Sequence, residues 1–161
     1  MKFIPGMPIV KQGFVGLDIH FALTLPPRLR IFGSRFTRKG EFHVTLVSGD
    51  VVTEEVRVAA EKAAKGIRFR IGVEPSFFLV EKDYGIESRR SIIASCLVAG
   101  AEEFNNRLYA QTGVIIDSVP YHVTLYTAGN SKGIGLTSQQ DKLRFATKIP
   151  YGQVPKAIKI F

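Results

Sequence analysis

The sequence predicts a fold of mixed strands and helices built from two similar halves, and three observations point to it. The tetrapeptide His-Val-Thr-Leu occurs at 43–46 and again at 122–125, in a chain of 161 residues that has three histidines. Given the first copy, average residue usage puts the chance of an identical second on the order of one in a thousand. Both copies lie in runs that alternate as a half-buried strand does, "FHVTLV" and "YHVTLY". Apolar residues stepping by three and four after Thr53 and after Gly100 mark helices between the strands.

Taken in order, "GFVGLDIHF" (13–21) reads as a strand by its apolar and β-branched content, and "LTLPPRLRIFGSRFTRKG" after it as a basic, turn-rich connection. "EFHVTLV" is the next strand. Thr53 caps a helix that begins at Glu54 and turns Val56, Ala59 or Ala60, Ala63 and Ile67 inward, with acids in its first turn, lysines near its end and Gly66 to stop it. "IRFRIGV" and "SFFLVEK" follow as two strands and "RRSIIASCLVA" as a third, then a helix marked by Ala101, Phe104 and Leu108 and closed by Gly113. "YHVTLYT" is again a strand. After the loose loop "AGNSKGIG", Thr137 and Gln140 form a capping-box pattern for a helix to about Thr147, and "KAIKIF" is a last strand.

The halves share one order: strand, connection, HVTL strand, helix or loop, more strand. Phe14 precedes His43 by 29 residues and Ser91 precedes His122 by 31. One unit over 1–161 is expected, its first half about 13–73 and its second about 74–161, because duplicated units tend to pack around a pseudo-two-fold axis.

Composition narrows the function classes. The chain is 45% hydrophobic and 22% charged, enough apolar content for a proper core. It has no apolar run of the length a membrane span needs, and "MKFIPGMPIVKQG" is interrupted by prolines and glycines where a signal peptide is continuous, so a cytoplasmic protein with no membrane contact is expected. Cys96 is a single cysteine inside "SIIASCLVAG", which reads as a buried thiol. A formal charge of +8 favours polyanionic partners.

Alternation along a strand sends Phe42, Val44 and Leu46 one way and His43 and Thr45 the other; in the second copy Tyr121, Val123 and Leu125 oppose His122, Thr124 and Tyr126. Each strand therefore anchors in a core and presents an imidazole and a hydroxyl. Metal binding is not expected, because the spacings of zinc sites and the further ligands they need are missing. Hydroxyl nucleophile chemistry lacks its elbow motif and third partner. Acid and base chemistry on a phosphate fits: one neutral imidazole takes a proton from water, one protonated imidazole gives a proton to the departing oxygen, and the hydroxyls donate to the phosphate oxygens. The two copies are identical, so the residues leave open which histidine is which.

H-x-T-L twice, about eighty residues apart on a repeated strand framework, resembles the 2H phosphoesterase superfamily, and "FVGLDI" resembles the opening strand of its RNA 2',3'-cyclic phosphodiesterase (2'-5' RNA ligase) branch. The resemblance implies a bilobal α+β fold in which two antiparallel sheets line a central cleft with helices on the outside. It also implies no metal or other cofactor and hydrolysis of a 2',3'-cyclic or 2',5'-linked phosphodiester of an RNA end or small nucleotide. By position His43 matches the family's proton donor, His122 its acceptor, and Thr45 and Thr124 its phosphate-holding hydroxyls. Members of that branch often carry an arginine just after the second motif, where this chain has Tyr126 and Thr127. The alternatives are RNA ligation through the same site and a nucleotide-binding module without turnover.

Further candidates are Arg35, Arg38 and Lys39, which lead into the first motif and can meet a nucleotide phosphate, and Tyr126, which can stack a base. Arg89 and Arg90 lead into the strand of the second half in the same way. His20 has no threonine partner and reads as structural, the 129–135 segment can fold over the cleft but reads first as a mobile connection, and a monomer is favoured.

Overall fold

The computed structural model describes residues 1–11, 13–20, 25–116, 120–129, 132–154, 156 and 158. Ten strands form one antiparallel sheet: β1 (Phe3–Pro5), β2 (Met7–Lys11), β3 (Phe14–Ile19), β4 (Arg28–Ile31), β5 (Ser34–Arg38), β6 (Phe42–Ser48), β7 (Arg70–Asp83), β8 (Ser88–Ala99), β9 (His122–Ala128) and β10 (Ala146–Lys148). The main path runs β1-β7-β8-β9-β6-β3-β2, with β10 on β7 and the β4–β5 hairpin on β9. Its two ends are consecutive strands separated only by Gly6, so the sheet is nearly closed on itself. The α+β class expected from the resemblance is present. Its two sheets, however, are hydrogen-bonded into one, because β6 and β9 pair directly at Val44 and Val123.

Each face of the sheet has its own apolar cluster. Val15, Leu17, Val44, Ile71, Ile92, Ala94 and Val123 pack with α1 (Glu54–Ala64) and α2 (Ala101–Thr112) through Val56, Ala60, Ala63, Phe104 and Leu108. At roughly 1.5–3 kcal/mol for each large side chain buried, this cluster dominates stability. The opposite face carries Val80 and Ile93, covered by Ile134 and Leu136 and bordered by Phe145 of α3 (Gln139–Phe145).

Several local expectations hold. Thr53 caps α1, its hydroxyl accepting from the Val56 amide, and Gly113 ends α2 in the left-handed conformation. Others are corrected. The basic connection is a hairpin: Phe32 and Gly33 both take positive φ, the two-residue turn that matches strand twist, and Leu29, Ile31 and Phe36 turn inward. The strands read as separate at 67–73 and 76–82 are one, β7, whose register with β8 breaks between Val73 and Phe77, around Pro75, which has no N–H to donate. The boundary between the expected halves falls at that irregularity. α3 is capped by Ser138 and is shorter than expected, while Thr137 bonds to the Asp141 carboxylate instead. The start of the chain, read only as interrupted, supplies β1 and β2. The expected last strand lies mostly outside the described residues. Among the described residues no helix is long and apolar enough to cross a membrane.

Candidate active site

Pairing of β6 with β9 at Val44 and Val123 sets equivalent residues of the two tetrapeptides side by side in antiparallel sense. Both valines are fully buried in the helix-side core. Alternation then sends His43, Thr45, His122 and Thr124 to the other face, with the His43 end of one motif beside the Thr124 end of the other. These four side chains line one pocket of about 230 Å³ together with Ser48 and the 133–136 segment.

The two strands share a further detail. β3 pairs Gly16 with Thr45 and Val15 with Val47, leaving Leu46 extra; β8 pairs Ile93 with Thr124 and Ile92 with Tyr126, leaving Leu125 extra. Each HVTL strand thus carries a β-bulge at its leucine. A bulge moves the following residue to the opposite face from the one simple alternation assigns. That is why Tyr126 is not a stacking platform: it is fully buried, its hydroxyl donates to the Pro26 carbonyl at 2.8 Å, and burial pushes its pKa up to about 12.

The surroundings of the two imidazoles differ. His43 lies across from Asp18 and meets the Phe14 ring edge-on, centroids 4.8 Å apart. Gly16 makes that contact possible, since a Cβ there would collide with the Phe14 ring and the Val44 carbonyl. Partial burial and the Lys39 ammonium lower the His43 pKa, and the Asp18 carboxylate opposes them. His122 lies across from Ser95, and its Nδ1 is 2.8 Å from the Pro120 carbonyl oxygen. A carbonyl only accepts, so Nδ1 carries the proton of the neutral ring and Nε2 keeps its lone pair. Burial lowers the His122 pKa most; the Pro120 bond opposes this, and the charges of Lys142 and His43 reinforce it. Lys142 is held beside the motif by its bond to Ser95 Oγ at 3.1 Å and by the Phe78 ring, 4.3 Å below its Nζ.

The other candidates fall elsewhere. Lys39 is near enough to His43 to shift it, but Arg38 donates to the Leu25 carbonyl at 2.6 Å, and Arg35 lines a separate groove on the β4–β5 hairpin. Arg89 pairs with Glu87 and donates to the Gly133 carbonyl; Arg90 pairs with Glu81 and reaches Ser34. His20 is exposed at the end of β3, and Cys96 is a buried thiol with its pKa pushed up to about 12. In the 129–135 segment, residues 130 and 131 lie outside the described residues, while Gly133 sits against Thr124 and Ile134 is buried. Residues 133–136 line the pocket, so this part of the segment lies at the cleft instead of being only a connection.

Sequence reasoning missed Phe14, Asp18, Ser95 and Lys142. Asp18 was legible in part, as a carboxylate within a predicted strand; Lys142 was not, being distant along the chain from both motifs. Among the described residues, no three or more His, Cys, Asp or Glu side chains come together to hold a metal ion. Comparison of the chain with known protein families, curated proteins and solved structures found no match.

Proposed function

We propose that the protein is a metal-independent phosphoesterase of the 2H type, opening 2',3'-cyclic phosphates or cleaving 2',5'-linked phosphodiesters of RNA ends or small nucleotides. The observation that carries this reading is the meeting of both HVTL motifs in one pocket, a histidine and a threonine from each strand. In-line displacement at phosphorus needs a base at one end and an acid at the other, and paired strands supply one imidazole from each side.

The surroundings favour a division of roles. His122 is the base: burial and Lys142 keep it neutral near pH 7, and its bond to Pro120 leaves Nε2 unprotonated. His43 is the acid: it is less enclosed and has Asp18 across the strand pair to favour its proton, and the arriving phosphate adds negative charge. His122 takes a proton from water as the water oxygen bonds to phosphorus. The bond to the ribose 3' oxygen breaks, His43 protonates that oxygen, and a 2'-phosphate remains. Thr45 and Thr124 donate to the non-bridging oxygens as charge builds on them. The matching bulges at Leu46 and Leu125, and the matching cross-strand positions of Asp18 and Ser95, support reading the chain as two diverged copies around the pocket.

Incubation with a 2',3'-cyclic nucleotide in excess EDTA tests this reading. Ring opening to the 2'-phosphate is the expected result, and an intact ring after prolonged incubation with and without added metal refutes it.

A further inference from the structure

The β4–β5 hairpin carries an arrangement that the pocket does not use. β4 alternates, with Leu29 and Ile31 inward and Arg28 and Arg30 exposed. In register, Arg30 lies directly across from Arg35 and Arg28 across from Thr37, so three guanidinium groups share one exposed face, bordering a groove of about 480 Å³. Like charges directly opposite on paired strands are destabilising. Among the described residues none of the three is in an ion pair, whereas Arg57, Arg89, Arg90 and Arg107 each have an acidic partner. Protection of an exposed edge would account for Arg28 and Arg30, because among the described residues β4 pairs only with β5. It gives no reason for placing Arg35 directly across from Arg30, where like charges oppose each other on paired strands.

The register also fixes which way this face looks. Val80 lies across from Ser91, Ser91 from Thr127, Thr127 from Thr37 and Thr37 from Arg28, and directly paired residues point to the same side of a sheet. Val80 belongs to the cluster that packs against Ile134 and Leu136, on the pocket side. The three arginines therefore stand on the same sheet face as the two histidines. Three to five residues along the direction of β9 and one or two strands across place them about 14–19 Å from Thr124, a few nucleotides of extended chain.

We propose that this face of the hairpin is a docking track for the phosphodiester backbone of single-stranded RNA whose end lies in the HVTL pocket. The inference rests on the phosphoesterase reading of that pocket and makes it more specific: the preferred substrate is an oligonucleotide end, with upstream phosphates held by Arg28, Arg30 and Arg35.

The test measures two quantities on the full chain. The first is the affinity for a short, 5'-labelled single-stranded RNA, by anisotropy across a salt series. The second is kcat/KM on an oligonucleotide with a 2',3'-cyclic end and on the matching cyclic mononucleotide. Replacing all three arginines by glutamine should weaken RNA binding roughly 10-fold or more and flatten the log–log salt slope by about 2, since each phosphate contact on a single strand contributes about 0.7. The loss in kcat/KM should be at least tenfold greater on the oligonucleotide than on the mononucleotide. The triple lysine variant, which keeps the charge, should retain most of the slope. Unchanged affinity and slope in the glutamine variant would overturn the proposal, and so would equal loss on both substrates. Binding to phosphatidylserine vesicles without binding to RNA would overturn it as well. If the wild-type protein opens neither ring yet binds RNA through these arginines, the docking track stands and the phosphoesterase reading falls. If it opens the mononucleotide ring and the arginines have no effect on RNA, the reverse holds.

Discussion

β6 and β9 carry the same four residues, the same bulge and the same kind of partner strand, yet they place their histidines in different electrostatic settings. His43 has the Lys39 ammonium nearby, a carboxylate across from it and an aromatic edge beside it. His122 is half-buried where His43 is exposed, donates to a backbone carbonyl and has an ammonium close by. Identical strands thus place their imidazoles among different neighbours: burial lowers both pKa values, but Asp18 opposes the shift at His43 and the Pro120 carbonyl opposes it at His122. The local sequence supplies the paired side chains, and in the proposed reaction it is the neighbouring elements that would divide acid from base.

The largest effect should come from removing either imidazole. His43→Ala and His122→Ala are each expected to lower kcat/KM on a 2',3'-cyclic nucleotide by about 2 to 4 orders of magnitude, with the double variant losing far less than the product of the two. Full activity in either single variant would end the two-histidine mechanism. A nitrophenyl ester of a nucleotide should then separate the pair. Its leaving group needs no proton, so the His43→Ala defect should shrink while the His122→Ala defect persists. Rescue of the His122 variant alone would exchange the roles.

A smaller effect is expected in the pH profile. Both histidines lie below the ordinary imidazole value of 6.5, so the bell of kcat/KM should peak on the acidic side of that value. Its ascending limb reports the base losing its proton, and its descending limb the acid losing its own. Lys142→Met removes a charge that lowers the His122 pKa, so the ascending limb should move to higher pH. Asp18→Asn removes a charge that raises the His43 pKa, so the descending limb should move to lower pH. Both variants moving the same limb would contradict the assignment. The smallest effect concerns a residue outside the chemistry: Tyr126→Phe should cost about 1–3 kcal/mol in chemical denaturation by leaving the Pro26 carbonyl without its partner, with kcat/KM little changed. A large rise in KM would instead return Tyr126 to the site.

By itself the sequence determined the strands that alternate, the two longer helices with their Thr53 and Gly113 ends, the buried thiol of Cys96, and His43, Thr45, His122 and Thr124 as one chemical set. These follow from local periodicity and from a repeat too improbable to be idle. What only the tertiary structure decided is everything that depends on pairing register. The bulge at Leu125 buries Tyr126, the cross-strand partner of each histidine differs, and Lys142 arrives from a helix near the end of the chain. The β4–β5 hairpin belongs to the second kind: the stretch reads as a basic, turn-rich connection, and only pairing shows Leu29 and Ile31 turned inward and Arg30 facing Arg35 on the pocket side of the sheet. Side-chain periodicity is a property of neighbours along the chain, whereas a proton's affinity for an imidazole depends on charges and burial contributed by residues that only folding brings near.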